Sequence, residues 1–260
     1  MSSVLKDVWN FRGFVRQAVI RDLKIRYKRS YLGVLWSVLN PLLLMTVLAI
    51  AFGLFMRFNI PYYPLFLFSG LVVWQFCQTT AVECLDQLVG SSNVAIYTKV
   101  NVPKTIFPLA HTTSQFINLL CGLGALFLLY PVYGFFPGLA IVYVVPALLI
   151  IYIFGVGLGM ITAALNVFFR DMKYLIPVTF TALFYLSPVI YDLSLVPDQY
   201  VAWIKLNPFY YFIELGRYPL YHGTVAPLHI WSVASSVAGA TLTSGIILYS
   251  KLEDRIAYFV

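Results

Sequence analysis

The sequence predicts an all-α integral membrane protein, one bundle of six transmembrane helices over residues 1–260. Three observations lead there. Hydrophobic residues fill 61% of the 260 positions and charged residues 10%, whereas a soluble domain carries about 45–50% apolar and about 25% charged residues. Asp, Glu, Lys and Arg are absent from 30–56, 58–82, 105–169 and 218–250, and about 20 apolar residues in a helix cross a hydrocarbon core of about 30 Å. The 17 basic residues are unevenly distributed, with eight of them in 1–30. The same composition excludes a disordered chain, and three cysteines are too few for a secreted disulfide scaffold.

The first 30 residues are basic and amphipathic. Val4, Val8, Phe11, Val15 and Ala18 recur at helical spacing while Arg12, Arg16, Lys24 and Lys28 take another face, so residues 1–30 are expected to lie as a helix in the headgroup plane. The apolar run starts only after residue 30 and shows no small-residue cleavage site, so no cleavable signal peptide is expected. Spans are then expected at 31–56 and 64–82. Between 83 and 104 lies the longest inner loop, with Glu83, Asp86, Lys99 and Lys104 around a Gly90-Ser91-Ser92-Asn93 break. A loop of that length suits two short helices that dock a soluble partner.

The charge-free stretch 105–169 is too long for one helix. Two prolines and two glycines within Tyr130–Gly138 mark a turn, giving spans at 106–130 and 139–168. Residues 174–191 form an 18-residue fifth span, about 27 Å of helix. The segment 192–229 is apolar and aromatic for a loop, and Pro197, Pro208 and Pro219 cut it into pieces. Short re-entrant helices are expected there, with Glu214 and Arg217 paired at i, i+3. The last span is 230–250. Six crossings put both termini, 83–104 and 169–173 on one side with fourteen basic residues, leaving Arg57, Lys205 and Arg217 opposite. The excess of positive charge places both termini in the cytoplasm.

Chemistry within the spans reads as sparse. They show no carboxylate relay of the kind that marks ion pumps, and no polar lining, which counts against a passive channel. His111, between Ala110 and Thr112-Thr113 and near Gln115, reads as a satisfied packing histidine. No catalytic set, metal-ligand spacing or G-x-x-x-x-G-K-[ST] loop occurs, so uphill transport would need energy from another chain. Cys77 and Cys84 stand seven positions apart, about 10 Å of helical rise, and with Cys121 read as reduced packing residues. Aromatic residues reach 17%. Most suit interfacial belts, but Trp36, Phe180, Phe184, Tyr185 and Tyr191 lie in the first and fifth spans. Phe180, Phe184 and Tyr191 share a face and could offer stacking surfaces to sugar rings. Gly155-x-Gly157-x-Gly159 and Ser235-x-x-x-Gly239 point to close packing within the bundle.

Several segments, in order along nearly the whole chain, together resemble the permease subunits of ABC-2 type polysaccharide exporters. They are Arg21-Asp22-Leu23-Lys24-Ile25-Arg26-Tyr27-Lys28, Tyr31-Leu32-Gly33-Val34-Leu35-Trp36, Asn40-Pro41, Gly70-Leu71-Val72-Val73-Trp74-Gln75-Phe76 and Lys99-Val100-Asn101-Val102-Pro103-Lys104. Arg170-Asp171-Met172-Lys173-Tyr174-Leu175-Ile176-Pro177, Leu186-Ser187-Pro188-Val189-Ile190-Tyr191 and Leu206-Asn207-Pro208 follow. The resemblance implies a bacterial inner-membrane protein that pairs with a second copy of itself and two copies of a separate ABC ATPase. That partner would hold ATP and Mg²⁺; this chain would hold no cofactor and meet no nucleic acid. The substrate implied is a lipid-linked O-antigen polysaccharide of the undecaprenyl-pyrophosphate type, with capsule, teichoic acid or a small lipid or drug as alternatives. A membrane-embedded enzyme acting on lipid-linked sugars is the alternative of another class. Arg26, Lys28 and Arg29, at the cytoplasmic entrance of the first span, could draw in the pyrophosphate of a lipid carrier or simply snorkel to anionic lipid. By resemblance, Glu83, Asp86, Lys99 and Lys104 would couple to the ATPase. Pro208, Phe209, Glu214 and Arg217 would form the periplasmic gate, and the first and fifth spans the channel.

Overall fold

The computed structural model describes residues 9–28, 30–56, 59–89 and 102–259, and they are helical, with no strand among them. In chain order the α-helices are α1 (Arg12–Tyr27), α2 (Trp36–Leu48), α3 (Tyr63–Glu83), α4 (Ile106–Tyr133), α5 (Val144–Phe168), α6 (Met172–Leu186), α7 (Asp198–Leu206), α8 (Pro208–Arg217) and α9 (Leu228–Phe259). Five stretches among the described residues are long and apolar enough to cross a membrane: Trp36–Gly53, Tyr63–Asp86, Ile106–Tyr133, Gly138–Phe168 and Leu228–Tyr249. The apolar helix α6 is shorter, at 15 residues, about 22 Å of rise. It ends at Leu186, five residues before the expected boundary at 191, because Pro188 holds the preceding Ser187 in extended backbone.

Helix α3 is the hub. Apolar residues wrap most of its circumference and leave Gln75, Gln78, Thr79 and Glu83 to one side, and 78% of its crossing stretch is buried, against 39% or less for the others. Trp74 at its centre meets Phe180 and Phe184 of α6 and Phe209 of α8, with ring centroids 5.4–5.8 Å apart. Phe209 passes the contact on to Phe154 of α5, and Phe154 stacks on Phe212 at 4.0 Å. Cys77 and Cys84 are buried and all three cysteines are free.

Helix α4 runs three residues past its expected end, through Pro131. Its terminus is closed by Gly134 at φ 61°, with Phe135 N–H bonding to the Tyr130 carbonyl and Gly134 N–H to that of Pro131, a paired pattern that suits glycine. Helices α5 and α9 form the most extensive pairing. Gly157 makes it possible, since a Cβ there would lie 2.5 Å from the Leu242 backbone nitrogen. Gly245, not the expected Gly239, completes the seam; Gly239 faces open space. Gly159 packs against Cys84 and Thr112, so the glycine pattern of α5 is consumed inside the bundle.

Far from α1, the segment 187–222 is tied down by polar groups reaching between elements. Tyr63 donates to the Ile190 carbonyl, Tyr130 to Leu220 and Tyr221 to Pro61, at 2.6–2.8 Å. Asn207 caps α8 through Phe209 N–H and donates to Ser187 Oγ. As expected, Pro197 and Pro208 begin α7 and α8. Pro219 does not separate a further helix, because it sits inside a π-turn, Tyr218–His222, that continues α8. Arg217 is 1% exposed. It pairs with Glu214 at 2.6 Å, donates to the Val189 carbonyl and lies 3.9 Å over the Phe66 ring.

Two outcomes follow. Gly157→Ala should destabilise the purified protein by about 1–3 kcal/mol through overpacking, while Gly239→Ala should leave the thermal midpoint in detergent within error. Arg217→Met should cost about 3–5 kcal/mol, because Glu214, with a side chain only 12% exposed, would remain unpaired. A thermal midpoint unchanged from wild type would show that the ion pair carries no weight.

Candidate functional site

A chamber of about 1110 Å³ opens among α1, α2, α3, α4 and α6. Each helix turns a polar stripe toward it at helical spacing. Helix α2 contributes Trp36, Ser37 and Asn40; α3 contributes Gln75, Gln78, Thr79 and Glu83; α4 contributes His111, Gln115 and Asn118; α6 contributes Thr181. Positions i, i+3, i+4 and i+7 share one helix face, so the α3 and α4 sets converge by helical geometry. The expectation that the spans lack a polar lining is therefore corrected. Charge gaps register only Asp, Glu, Lys and Arg, and amides pass through them unseen.

The floor of the chamber is a charge cluster built from three helices. His111 of α4 places Nδ1 at 3.3 Å from Asp22 of α1 and Nε2 at 3.1 Å from Glu83 at the end of α3. Glu83 also accepts from Gln115 at 2.7 Å and pairs with Arg26. Asp22 accepts two bonds from Arg21, and Gln115 accepts from Asn118. An imidazole with protons on both nitrogens donates to both carboxylates, whereas a neutral ring turns a lone pair toward one of them. Burial pushes the Asp22 carboxyl up, but His111 and Arg21 outweigh it and hold the group below its ordinary value of 3.8. His111 is thus satisfied, as expected, through ionic partners rather than apolar packing.

Helix α1 reaches this cluster because its other face is spent on protein. Ala18 and Val19 bury against Ala110, with Phe14, Val15 and Leu23 alongside, and Phe14 meets Phe107 edge-on at 5.9 Å. The apolar stripe expected to enter lipid packs in this part on α4. Val4 and Val8 lie outside the described residues.

The candidate site residues divide accordingly. Trp36 lines the chamber and is 42% exposed. Phe180 and Phe184, expected on a channel face, turn instead onto Trp74. Pro177 and Thr181 hold the chamber side of α6, since a helical face is fixed by sequence only up to rotation. Tyr185 is exposed, and Tyr191 donates to its carbonyl. Arg26 is engaged by Glu83, Lys28 is exposed at the end of α1, and Arg29 and Lys99 lie outside the described residues. Glu83 faces the chamber, Asp86 pairs with Lys173 at 3.1 Å on the surface, and Lys104 precedes α4. The Gly90–Asn93 break is outside the described residues. Pro208 opens α8; Phe209 and Arg217 are buried, and Glu214 joins Arg217.

A carboxylate held below its ordinary value contributes stability that is complete above that value and is lost as pH falls through the lower folded one. Thermal midpoints of the purified protein should therefore drop below about pH 3.8, and Asp22→Asn should reduce the slope. Identical slopes in both proteins would remove Asp22 from the cluster's energetics.

Comparison with known proteins places this geometry. The family model described as ABC-2 type transporter matches residues 14–221. An O-antigen export system permease protein RfbA of Klebsiella pneumoniae is 32% identical over 238 residues, 91% of each chain. A protein of the same name from Myxococcus xanthus is 33% identical over 210 residues, 80% of each chain. The polysialic acid transport protein KpsM of Escherichia coli is 22% identical over 244 residues, 93% of this chain and 94% of that one. The family match spans most of the chain and takes in the chamber and the α8 clamp, and the chain belongs to the ABC-2 type transporter family.

Proposed function

We propose that the chain is the membrane-spanning permease of an exporter for lipid-linked O-antigen-type polysaccharide, with the chamber as the glycan's entry compartment. The observation that carries the reading is a large chamber with a polar lining between candidate spans, in a chain similar to O-antigen export permeases. Its volume of about 1110 Å³ lies just above the about 300–1,000 Å³ range of ordinary small-molecule pockets.

In this reading α6 completes six crossings, both termini are cytoplasmic, and the α1 end is the cytoplasmic one. Two copies of this chain work with two copies of an ATPase that binds ATP and Mg²⁺. Lys28 and Arg29, beside the paired Arg26, attract the pyrophosphate of the lipid carrier. Helices α7 and α8 are re-entrant and gate the outer end. Exposed apolar side chains on α2 and α6, among them Leu43, Val47, Val178 and Tyr185, face lipid and the second copy. An enzyme acting on lipid-linked sugar would need an available acid or base; both nitrogens of His111 meet carboxylates, which favours transport.

The test is depletion of the chain in its native cell, with assay of surface glycan and of inner-leaflet lipid-linked glycan. Loss outside with accumulation inside is expected. Normal surface glycan without accumulation would defeat polysaccharide export and leave the small-lipid reading.

A further inference from the structure

We infer that the chamber is a binding site for uncharged glycan, built from side-chain amides on α2, α3 and α4 and closed to polyanionic chains by the mutual pairing of its charges. The inference rests on the export reading and adds the class of substrate and the groups that recognise it.

Amides within membrane spans are costly unless they meet a partner or a polar compartment. Among the described residues, the side chains of Asn40 and Gln75 have no hydrogen-bond partner, and both line the chamber. Gln78 accepts from the Trp74 indole at 3.2 Å. An indole only donates, so the Gln78 carbonyl is fixed there and its NH₂ remains for the chamber. Each such amide offers donors and an acceptor on one planar group, and neighbouring hydroxyls of a sugar offer the same two functions in return. Trp36 at the chamber wall supplies an apolar ring for a sugar face. This set recognises hydroxyl-rich, neutral surface without supplying charge.

The charges of the lining point the same way. Its described titratable groups are Asp22, Arg26, Glu83 and His111, and each is held by another member or by Arg21. The carboxylates of Asp22 and Glu83 engage every cation of the set, the guanidiniums of Arg21 and Arg26 and the His111 ring. A polyanionic glycan entering here would find no unpaired cation among the described lining residues. Releasing Arg26 to meet it would take the guanidinium from Glu83 and leave that partly buried carboxylate with His111 and Gln115 alone.

The experiment uses the full-length chain reconstituted in nanodiscs of phosphatidylethanolamine and phosphatidylglycerol, with tryptophan fluorescence as readout. A neutral mannose hexasaccharide should give a saturable change that Trp36→Phe abolishes. A hexamer of sialic acid should bind at least tenfold more weakly. The double variant Asn40→Leu/Gln75→Leu should weaken the neutral ligand at least tenfold. Should that variant fail to fold, Asn40→Leu alone, at an exposed position, is expected to weaken binding severalfold. No saturable change with the neutral ligand, equal or tighter binding of the anion, or wild-type affinity in a folded amide variant would overturn the inference. Those results leave polysaccharide export standing if depletion still causes inner-leaflet accumulation. Normal surface glycan on depletion, with neutral binding intact, would instead remove export and keep the site.

Discussion

A polar group at membrane depth must either be paired within the protein or face a compartment that receives it. Nearly every feature of this fold follows from that constraint acting on α3. The helix is 78% buried along its crossing stretch, and the elements that cover it bring their own polar groups to its two ends. At the far end these groups find each other. Arg217 lies over Phe66 with Glu214 and the Val189 carbonyl as partners, and tyrosine hydroxyls close three backbone carbonyls contributed by distant parts of the chain. At the α1 end the charges pair but several amides do not.

This asymmetry separates a rigid end from a receptive one. A buried ion pair contributes little net stability, since desolvation offsets the attraction. Losing one partner is nonetheless severe, so the Arg217 cluster fixes where α8 can sit. Gly70 deepens the dependence: a side chain there would collide with the Arg217 guanidinium. The aromatic contacts of Trp74 then carry that position along α3 to α6 and α5. The chamber inherits its shape from this core, because the helices that present the amides are the helices that the core holds in register.

Much of this was legible in the sequence because hydrocarbon imposes coarse, one-dimensional rules. Charge-free runs marked the five long helices, prolines marked the starts of α7 and α8, and the i, i+3 spacing paired Glu214 with Arg217. What escaped was rotation and long-range partnership. Phe180 and Thr181 are neighbours in sequence, yet one enters the aromatic core and the other the chamber, and no periodicity sets the zero of that angle. His111 meets Asp22 and Glu83, 89 and 28 positions away, a proximity that only tertiary packing creates. The chamber itself had a visible signal: His111, Gln115 and Asn118 fall at i, i+4 and i+7, as do Gln75, Gln78 and Thr79 at i, i+3 and i+4. Reading span polarity through formal charge alone hid it.

Helix α1 joins the interior to the surface. Its apolar face is locked on α4 through Ala18, Val19 and Phe14, while one turn later Asp22 and Arg26 enter the chamber floor. Those two residues bind His111 and Glu83, which belong to different spans. A displacement of α1 by even a few ångströms would therefore carry Asp22 and Arg26 out of hydrogen-bond range and leave the carboxylate of Glu83 with fewer partners. Helix α1 and the chamber floor thus share the same ion pairs.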